Sequence, residues 1–442
     1  MKGRVKVEKT RNTEQMTAKS LSRRRLLQAT AGGAVVAGTS RFSFPSYAKA
    51  QDASPLNDIF GPGGVEGGEG VTIQGGMNLA MTGQGAFFGD VMSKGALLAA
   101  EQVAAAGGPT INITINDHQS GEVPPSVNGV RKLISQDKIS FLQTSYGAPS
   151  EALIPVLQQN KILTFNGGGA SPKQLFADYL WMTRMVFAYD PTPGALTWLA
   201  ENHPEAKRLA TIGTLENGVE ALEQLAPQVW PEVSDGGEIV LKEIHDVGLT
   251  DFSQVIARVK SSTPDAIFTV SFGNDLGYMV KQFREAAVEV PIVGIEFTQD
   301  AQTIAGDLYD TYVFATDYYD AKNPNPWNVE FVEGHQEKYG EDPEYYGANY
   351  YEQVFVIWDL MRRVLAEGGD PLSGEAMQQA LIQNPVFKSV YGGDAETVGE
   401  MSFDTEAHTI LKPMGVFAVK GGVPELLEAI PSELVPPAER PA

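Results

Sequence analysis

The chain has 442 residues, of which 43% are hydrophobic and none is cysteine, and its formal net charge is −22. A chain of this length exceeds the size at which a single hydrophobic core stops growing, so two compact units are expected. The lack of cysteine excludes a disulfide framework and a thiolate metal site.

The charge is distributed unevenly along the sequence. The first 50 residues contain 11 Lys and Arg but only 2 Asp and Glu, whereas the whole chain contains 33 and 55, so the remainder has a net charge near −31. A body this acidic argues against any general affinity for nucleic acid or for anionic lipid.

The basic N-terminal segment has the organisation of an export signal. Residues 22–38 (SRRRLLQATAGGAVVAG) start with arginines and continue into an apolar run that is shorter than the roughly 20 residues of a membrane span. An A-x-A cleavage site follows at 48–50. Residues 22–27 resemble the twin-arginine signal, which implies export of a folded bacterial protein. We predict a cleaved signal over 1–50 and a periplasmic location, with an uncleaved anchor as the alternative.

Beyond the signal, the sequence shows a leader followed by two repeating blocks. Residues 51–70 are rich in glycine and predict a flexible leader. From residue 71, short β-rich runs alternate with segments of helical spacing, which is typical of a parallel sheet covered by helices on both faces. The predicted strands are 71–77, 111–116, 139–142 and 161–165 in the first block, and 209–213, 238–244, 265–270, 291–295 and 312–315 in the second. Two doubly wound α/β lobes are therefore expected.

Two late elements complete the secondary-structure prediction. Residues 345–365 predict a long, strongly apolar helix, and residues 413–421 predict one last strand. Periodicity does not define where either element docks.

The sequence lacks the motifs of covalent and metal chemistry. It contains no G-x-S-x-G elbow, no P-loop and no H-E-x-x-H motif, and its five histidines are scattered. Residues 83–89 (GQGAFFG) miss the dinucleotide-binding fingerprint by one position. We therefore predict that the protein is not an enzyme and uses no cofactor or metal. The alternative from another class is an exported enzyme with dispersed catalytic carboxylates.

Polar loops follow four of the predicted strands, at the ends where open α/β sheets bind their ligands. The four segments are 143–151 (QTSYGAPSE), 166–172 (NGGGASP), 271–275 (SFGND) and a loop that begins with the acidic residue Glu296. They converge only if the two lobes face each other across a cleft. Glu296 is then a candidate partner for a cationic ligand group.

Several segments together resemble the type I periplasmic binding proteins, in the leucine/isoleucine/valine-binding branch that serves ATP-binding-cassette (ABC) importers. The likeness runs from about residue 71 to 421, and its carriers are 79–90 (LAMTGQGAFFGD), 115–121 (INDHQSG), 250–286 and 293–297 (VGIEF). The resemblance implies two Rossmann-like lobes joined by three crossovers, which close by a hinge on a small ligand. The expected division is 71–187 with 319–405 for lobe 1 and 188–318 with 406–430 for lobe 2.

The resemblance implies an aromatic wall and a carboxylate site in lobe 1. Phe88 stands where the family places an aromatic ring over the ligand. Ser145, Tyr146 and Gly147 fall in a loop before a predicted helix, whose free N–H groups suit a carboxylate. For both Phe88 and Tyr146 the alternative is ordinary packing.

A second loop of lobe 1 is expected to approach the same carboxylate. Gly168 and Gly169 allow the backbone to come close to a ligand. The family uses a threonine at the next position, which is Ala170 in this chain, and Ser171 falls one place late as a substitute. The missing hydroxyl weakens the expectation of an ordinary α-amino acid.

In lobe 2 the resemblance assigns three further residues. Phe272 takes an aromatic position of the family pocket, and Asn217 takes a position usually filled by a larger side chain. Glu296 matches the carboxylate that receives the ligand ammonium. The tyrosines 345, 346, 350 and 351 have helical spacing and are interpreted as core and interface packing.

These residues together predict a solute receptor. We expect it to capture a small amine-bearing ligand, in the simplest case an apolar amino acid, and to deliver it to the membrane subunits of an ABC importer. Relatives of this branch bind urea, short amides or aromatic acids, and those ligands stay open. A sensory ectodomain with the same lobes is a third possibility, but no second hydrophobic span or signalling domain is recognised after residue 421, so a free receptor is expected. We expect no nucleic-acid partner and no membrane insertion of the mature chain.

Overall fold

The computed structural model describes residues 54–60, 68, 70–169, 171–183, 191–215, 218–219, 221–317, 319–411 and 414–430. The strands are β1 Thr72–Leu79, β2 Thr110–Asp117, β3 Phe141–Ser145, β4 Leu163–Gly168, β5 Leu180–Met182, β6 Arg208–Thr214, β7 Glu238–His245, β8 Ala266–Val270, β9 Ile292–Gly294, β10 Tyr312–Asp317, β11 Val386–Gly393, β12 Val398–Asp404, β13 Thr409–Leu411, β14 Met414–Lys420 and β15 Val423–Ile430.

Helices separate most of these strands. They are α1 Pro55–Phe60, α2 Ala86–Ala105, α3 Val123–Lys132, α4 Gly147–Asn160, α5 Pro191–Asn202, α6 Ala226–Val233, α7 Ser253–Ser262, α8 Gly273–Glu285, α9 Gln299–Ala305, α10 Pro326–Tyr339, α11 Tyr345–Ala366 and α12 Gly374–Gln383. Short π-helical or 3₁₀ turns occur at Leu133–Asp137, Pro172–Gln174, Ala221–Leu225 and Gly306–Thr311.

Lobe 1 is built on a parallel sheet with the strand order β2-β1-β3-β4-β5. Consecutive residues of a strand point to opposite faces of the sheet. Phe141 accordingly lies in the core formed with α2 and α11, whereas its neighbour Leu142 lies in the core formed with α3 and α4. Helices thus cover both faces of this sheet, as the buried, β-rich strands predicted.

Lobe 2 has a seven-stranded sheet with the order β15-β14-β10-β9-β8-β6-β7. The strands from β6 to β10 are parallel, and β14 and β15 join the edge in antiparallel fashion. Phe268 packs in the core shared with α5 and α6, and its neighbour Ile267 packs in the core shared with α7 and α8. The predicted fold class of two doubly wound α/β lobes is therefore confirmed.

Three parts of the architecture were not predicted from the sequence. The short strand β5 extends sheet 1, β15 extends sheet 2, and β11, β12 and β13 form a separate antiparallel sheet. The last predicted strand is β14, which pairs with β10 of lobe 2. The long predicted helix is α11, which packs along α2 of lobe 1.

The predicted flexible leader contains a packed helix. Leu56 in α1 has no exposed surface, and the Phe60 ring stacks on Phe355 at a centroid distance of 5.5 Å. The glycine-rich composition of 51–70 hid this short apolar stretch, which is helical because it docks on lobe 1. The predicted signal, residues 1–50, lies outside the described residues, as does most of the rest of the leader. The exact lobe boundaries stay predictions.

No helix within the described ranges is long and apolar enough to cross a membrane.

Candidate functional site

The two lobes contact each other through loops at the carboxyl ends of their strands. A Cβ atom added at Gly248, after β7, would lie 2.4 Å from the side-chain nitrogen of Gln84, which follows β1. A Cβ atom at Gly273, at the start of α8, would lie 3.9 Å from the Phe88 ring. The missing side chain of Gly248 permits the lobes to approach closely, and the distance at Gly273 is an ordinary van der Waals contact, so the two lobes touch at this end of the cleft.

Glu296 lies at this boundary and is completely buried. It follows β9 in lobe 2, yet its carboxylate accepts hydrogen bonds from the hydroxyls of Tyr345 and Tyr346, which begin α11 on lobe 1. The Tyr346 hydroxyl lies 3.1 Å from Oε2 of Glu296. The Glu296 carbonyl oxygen accepts a further bond of 2.9 Å from the Tyr312 hydroxyl. The lobes are thus joined through one buried carboxylate.

Other carboxyl groups surround Glu296 and make the cleft acidic. Glu344 precedes α11, and burial, together with the charges of Glu296 and Asp300, raises the pKa of Glu344 to about 8. Glu344 is therefore mostly protonated near neutral pH. Its Oε2 atom accepts no hydrogen bond from the described part of the chain. This environment favours a cationic ligand group over an anionic one on this side of the cleft.

The loop between β3 and α4 has an unusual backbone at Tyr146. This residue has φ 66° and ψ 156° at the N-terminal end of α4, and no side chain caps the helix there. Its N–H group donates to the Gly168 carbonyl oxygen at 3.2 Å. A Cβ atom at Gly169 would lie 2.4 Å from Cα of Tyr146, so the two loops are in backbone contact. The uncapped helix end provides a partial positive charge that suits a carboxylate.

The two serine hydroxyls considered from the sequence are engaged inside lobe 1. Ser145 is completely buried, and its Oγ lies 2.9 Å from Nε2 of His118. Ser171 donates its hydroxyl hydrogen to the Glu151 carboxylate at 2.6 Å. Backbone N–H groups, rather than these hydroxyls, are then the donors that this end of the cleft offers to a ligand.

Aromatic rings line the space between the two polar ends. The Phe88 ring, in the first turn of α2, lies edge-on to Tyr346 at 5.3 Å and to Tyr146 at 6.5 Å between centroids. Phe272 is half-buried at the start of α8 in lobe 2. Phe88 thus contacts both the Tyr146 loop and Tyr346, which bonds Glu296.

The remaining predicted residues divide into two groups. Gly147 is the first residue of α4, Gly168 is the last residue of β4, and Gly169 follows it, so all three lie beside Tyr146. Ala170 and Asn217 lie outside the described residues.

Sequence reasoning missed the polar role of two tyrosines. Tyr345 and Tyr346 were interpreted as packing residues because they share helical spacing with Tyr350 and Tyr351. The last two do pack within lobe 1, where Tyr351 donates to Gln102 at 2.5 Å. No local signal marked this role, because the acceptor of both hydroxyls, Glu296, lies about 50 residues away in the chain and belongs to the other lobe.

A separate cavity of about 240 Å³ lies at the amino ends of strands in the lobe 2 sheet, opposite the cleft. Its lining includes Pro291 and Ile292 at the start of β9, whereas Glu296 follows the end of that strand. It is therefore distinct from the cleft. Within the described ranges there is also no cluster of His, Cys, Asp or Glu suited to a metal ion.

The sequence profile of the periplasmic binding proteins matches residues 72–423. The Leu/Ile/Val-binding protein homolog 1 of Brucella abortus is 25% identical over 342 residues, covering 74% of this chain and 85% of the relative.

Solved structures show the same fold. The branched-chain amino acid transporter substrate-binding protein LivJ from Streptococcus pneumoniae, in complex with isoleucine, superposes with a TM-score of 0.68 at 21% identity, covering 81% of this chain and 99% of LivJ. A solute-binding protein of an ABC transporter from R. palustris, in complex with benzoate, gives a TM-score of 0.71 at 18% identity, covering 81% and 97%. The chain therefore belongs to the periplasmic binding protein family, and its resemblance to the type I, leucine/isoleucine/valine-binding branch is confirmed.

Proposed function

We propose that this protein is the extracytoplasmic receptor of an ABC importer and captures a small amine-bearing solute, in the simplest case an apolar amino acid, between its two lobes. The observation that supports this proposal most directly is the buried Glu296 carboxylate at the lobe boundary. Because this carboxylate lies where the two lobes meet, closure of the cleft can bring a ligand ammonium against it, and charge-assisted hydrogen bonds of this kind are among the strongest in proteins.

The two ends of the site complement the two charges of an amino acid. The uncapped N-terminus of α4 beside Tyr146 favours a carboxylate, whereas the Glu296 carboxylate, with Asp300 nearby, favours an ammonium. Between them, Phe88 and the tyrosine rings offer apolar surface and faces for a cation. A zwitterion with an apolar side chain satisfies all three requirements.

The tyrosine hydroxyls leave a second ligand class open. Both carboxylate oxygens of Glu296 already accept hydroxyl hydrogen bonds, so a ligand without a cation does not leave this group wholly unpaired. The hydroxyls satisfy hydrogen bonds but do not neutralise the charge. The R. palustris relative contains benzoate. An aromatic acid, urea or a short amide is therefore the second candidate.

A thermal-shift screen over amino acids, amides, urea and aromatic acids identifies the ligand class. A ligand that binds only the folded state at about 100 times its Kd adds about 2.7 kcal/mol to the free energy of unfolding. An exported enzyme predicts instead that turnover accompanies binding. Incubation of the protein with each stabilising compound, followed by mass spectrometry of that compound, separates receptor from enzyme.

Calorimetric titration of Glu296 variants then tests whether this carboxylate binds an amine group of the ligand. For an amine ligand, Glu296→Ala should cost about 2–5 kcal/mol, which is at least about a 30-fold loss of affinity. Glu296→Gln keeps the shape and removes the charge, so it should weaken an amine ligand strongly and a neutral amide or benzoate much less.

Glu352→Gln is the matched control for these variants. Glu352 is also buried, but its carboxylate accepts from Ser389 and from the Val390 N–H within lobe 1. This variant should leave the affinity within about threefold of the parent. If both Glu296 variants bind the ligand within about threefold of the parent affinity, Glu296 is not part of the binding site.

Location and delivery form part of the same proposal. We propose that the twin-arginine segment exports the folded protein to the periplasm and that the loaded receptor docks on the membrane subunits of its importer. Relatives in this family are solute-binding proteins, which supports a receptor rather than an enzyme.

A further inference from the structure

A buried histidine lies beneath the loop between β3 and α4. His118 directly follows β2 and has no exposed surface. Its Nε2 atom lies 2.9 Å from Oγ of Ser145, the last residue of β3. Its Nδ1 atom lies 3.1 Å from the N–H group of Gly121. One imidazole ring therefore ties the loop after β2 to the end of β3.

The hydrogen-bond partners determine which ring nitrogen carries the proton. The Gly121 N–H group can only donate, so Nδ1 of His118 must accept and has no hydrogen. In the neutral ring Nε2 then carries the hydrogen and donates it to Ser145. Burial lowers the pKa of His118 to about 4, so the ring keeps this form at neutral pH.

The same ring packs against Tyr146. The two ring centroids are 5.0 Å apart in an edge-to-face arrangement. Tyr146 has a positive φ, which is uncommon for a residue with a bulky side chain and requires support from its surroundings. Two glycines line the position of the Tyr146 side chain. A Cβ atom at Gly85 would lie 1.9 Å from the Tyr146 hydroxyl, so glycine is needed there to leave room, and a Cβ atom at Gly121 would lie 3.6 Å from the ring.

We infer that His118 is a positioning residue for ligand binding: its Nε2–H bond to Ser145 and its contact with Tyr146 hold the loop that presents the uncapped end of α4 to the anionic group of the ligand. This inference rests on the proposed function for the ligand, but the geometry of the loop can be tested without one. His118 itself does not touch the ligand in this arrangement.

Three variants separate the hydrogen bonds of His118 from its bulk. The amide nitrogen of a glutamine lies close to the position of Nε2, so His118→Gln can still donate to Ser145. An asparagine is shorter and places its polar group near Nδ1, so His118→Asn can satisfy Gly121 but not Ser145. His118→Leu fills space and makes neither bond.

Hydrogen exchange measured by mass spectrometry on the full chain without ligand gives the first readout. In peptides that span 141–153, exchange should be faster in His118→Asn and His118→Leu than in the parent, and close to the parent in His118→Gln. Peptides of lobe 2 should exchange at the parental rate in all variants, which controls for global unfolding. Parental exchange in all three variants, or equal acceleration in all three, would overturn the role of the Ser145 bond.

Calorimetric titration with L-isoleucine and with benzoate gives the second readout, since both probes carry a carboxylate. For the probe that binds the parent, His118→Asn and His118→Leu should lose about tenfold or more in affinity, and His118→Gln should recover to within about threefold. Unchanged affinity in the Asn and Leu variants would overturn the inference. If neither probe binds the parent, the titration uses the carboxylate-bearing compound that stabilises the parent in the thermal-shift screen. The absence of any such compound would contradict the binding role of His118, while hydrogen exchange still decides whether His118 holds the loop.

Discussion

The hydroxyl of Tyr346 on lobe 1 lies 3.1 Å from the carboxylate of Glu296 on lobe 2, so a buried hydrogen bond spans the two halves of the molecule. The adjacent Tyr345 donates to the other carboxylate oxygen. A buried charged acceptor that loses its donors pays a desolvation cost, unless the lobes separate and water takes their place. The pair therefore couples the position of Glu296 to closure of the cleft.

The first prediction concerns this coupling. Changing both Tyr345 and Tyr346 to Phe should open the ligand-free protein, because water can solvate Glu296 only after the lobes separate. Each hydroxyl is worth about 1.5–3 kcal/mol as a donor to a charged group, so the closed form should lose several kcal/mol. Small-angle scattering should show a larger radius of gyration for the double variant.

Tyr351→Phe is the control within the same helix. Tyr351 donates to Gln102 and accepts from Trp327 inside lobe 1, so its loss should lower the free energy of unfolding without separating the lobes. A double variant of Tyr345 and Tyr346 with the parental radius of gyration would show that these hydroxyls do not hold the cleft closed.

The second prediction concerns the contact between the two loops of lobe 1. Gly169→Ala would place a Cβ atom 2.4 Å from Cα of Tyr146, and backbone on both sides cannot shift cheaply. Overpacking of this kind should lower the free energy of unfolding by about 1–3 kcal/mol, measured by urea titration.

Gly147→Ala is the matched control for this loop. A Cβ atom at Gly147 would meet nothing closer than 3.8 Å, and alanine favours the helical conformation there. Its free energy of unfolding should stay within about 1 kcal/mol of the parent. Equal stability of the two alanine variants would contradict the close packing of Gly169 on Tyr146.

The sequence predicted the elements with a strong local pattern and missed those defined by distant contacts. The β-branched and aromatic run that became β8 is buried on both faces, and such a strand is recognisable from composition alone. The strands β5 and β13 have three residues each, too few to show any periodicity.

The candidate site shows the same division. The position of Glu296 after a strand is a local feature, so sequence reasoning placed it at the cleft. Its tyrosine partners are 49 and 50 residues away in the chain and belong to the other lobe, and His118 is 27 residues from Ser145. Such pairs depend on how the lobes and loops are arranged in space, which periodicity does not encode.

The third prediction concerns export. Changing both Arg23 and Arg24 to Lys should leave the precursor in the cytoplasm, because the twin-arginine pathway requires the arginine pair whereas the general pathway requires only positive charge. Arg25 is the one arginine that this double variant retains in the motif, so a triple variant that also changes Arg25 to Lys is the necessary control. Cell fractionation followed by immunoblotting measures the outcome, and normal export of the triple variant would contradict the twin-arginine assignment.

The last prediction concerns acid stability and follows from the buried, neutral His118. Burial lowers its pKa from 6.5 to about 4, so the unfolded chain gains a proton at this residue before the folded protein does. The folded state is therefore favoured fully above pH 6.5, and this contribution is lost as the pH falls toward 4. At about 1.36 kcal/mol per pKa unit the loss reaches about 3 kcal/mol.

His118→Gln removes this titration while keeping a donor for Ser145. The free energy of unfolding of the parent should therefore fall relative to this variant by about 3 kcal/mol between neutral pH and about pH 4. Because the carboxylates and the buried His335 are common to both proteins, the difference between the two curves isolates His118. Urea titrations at several pH values measure it, and parallel curves for the two proteins would mean that His118 accepts a proton as readily in the folded state as in the unfolded chain.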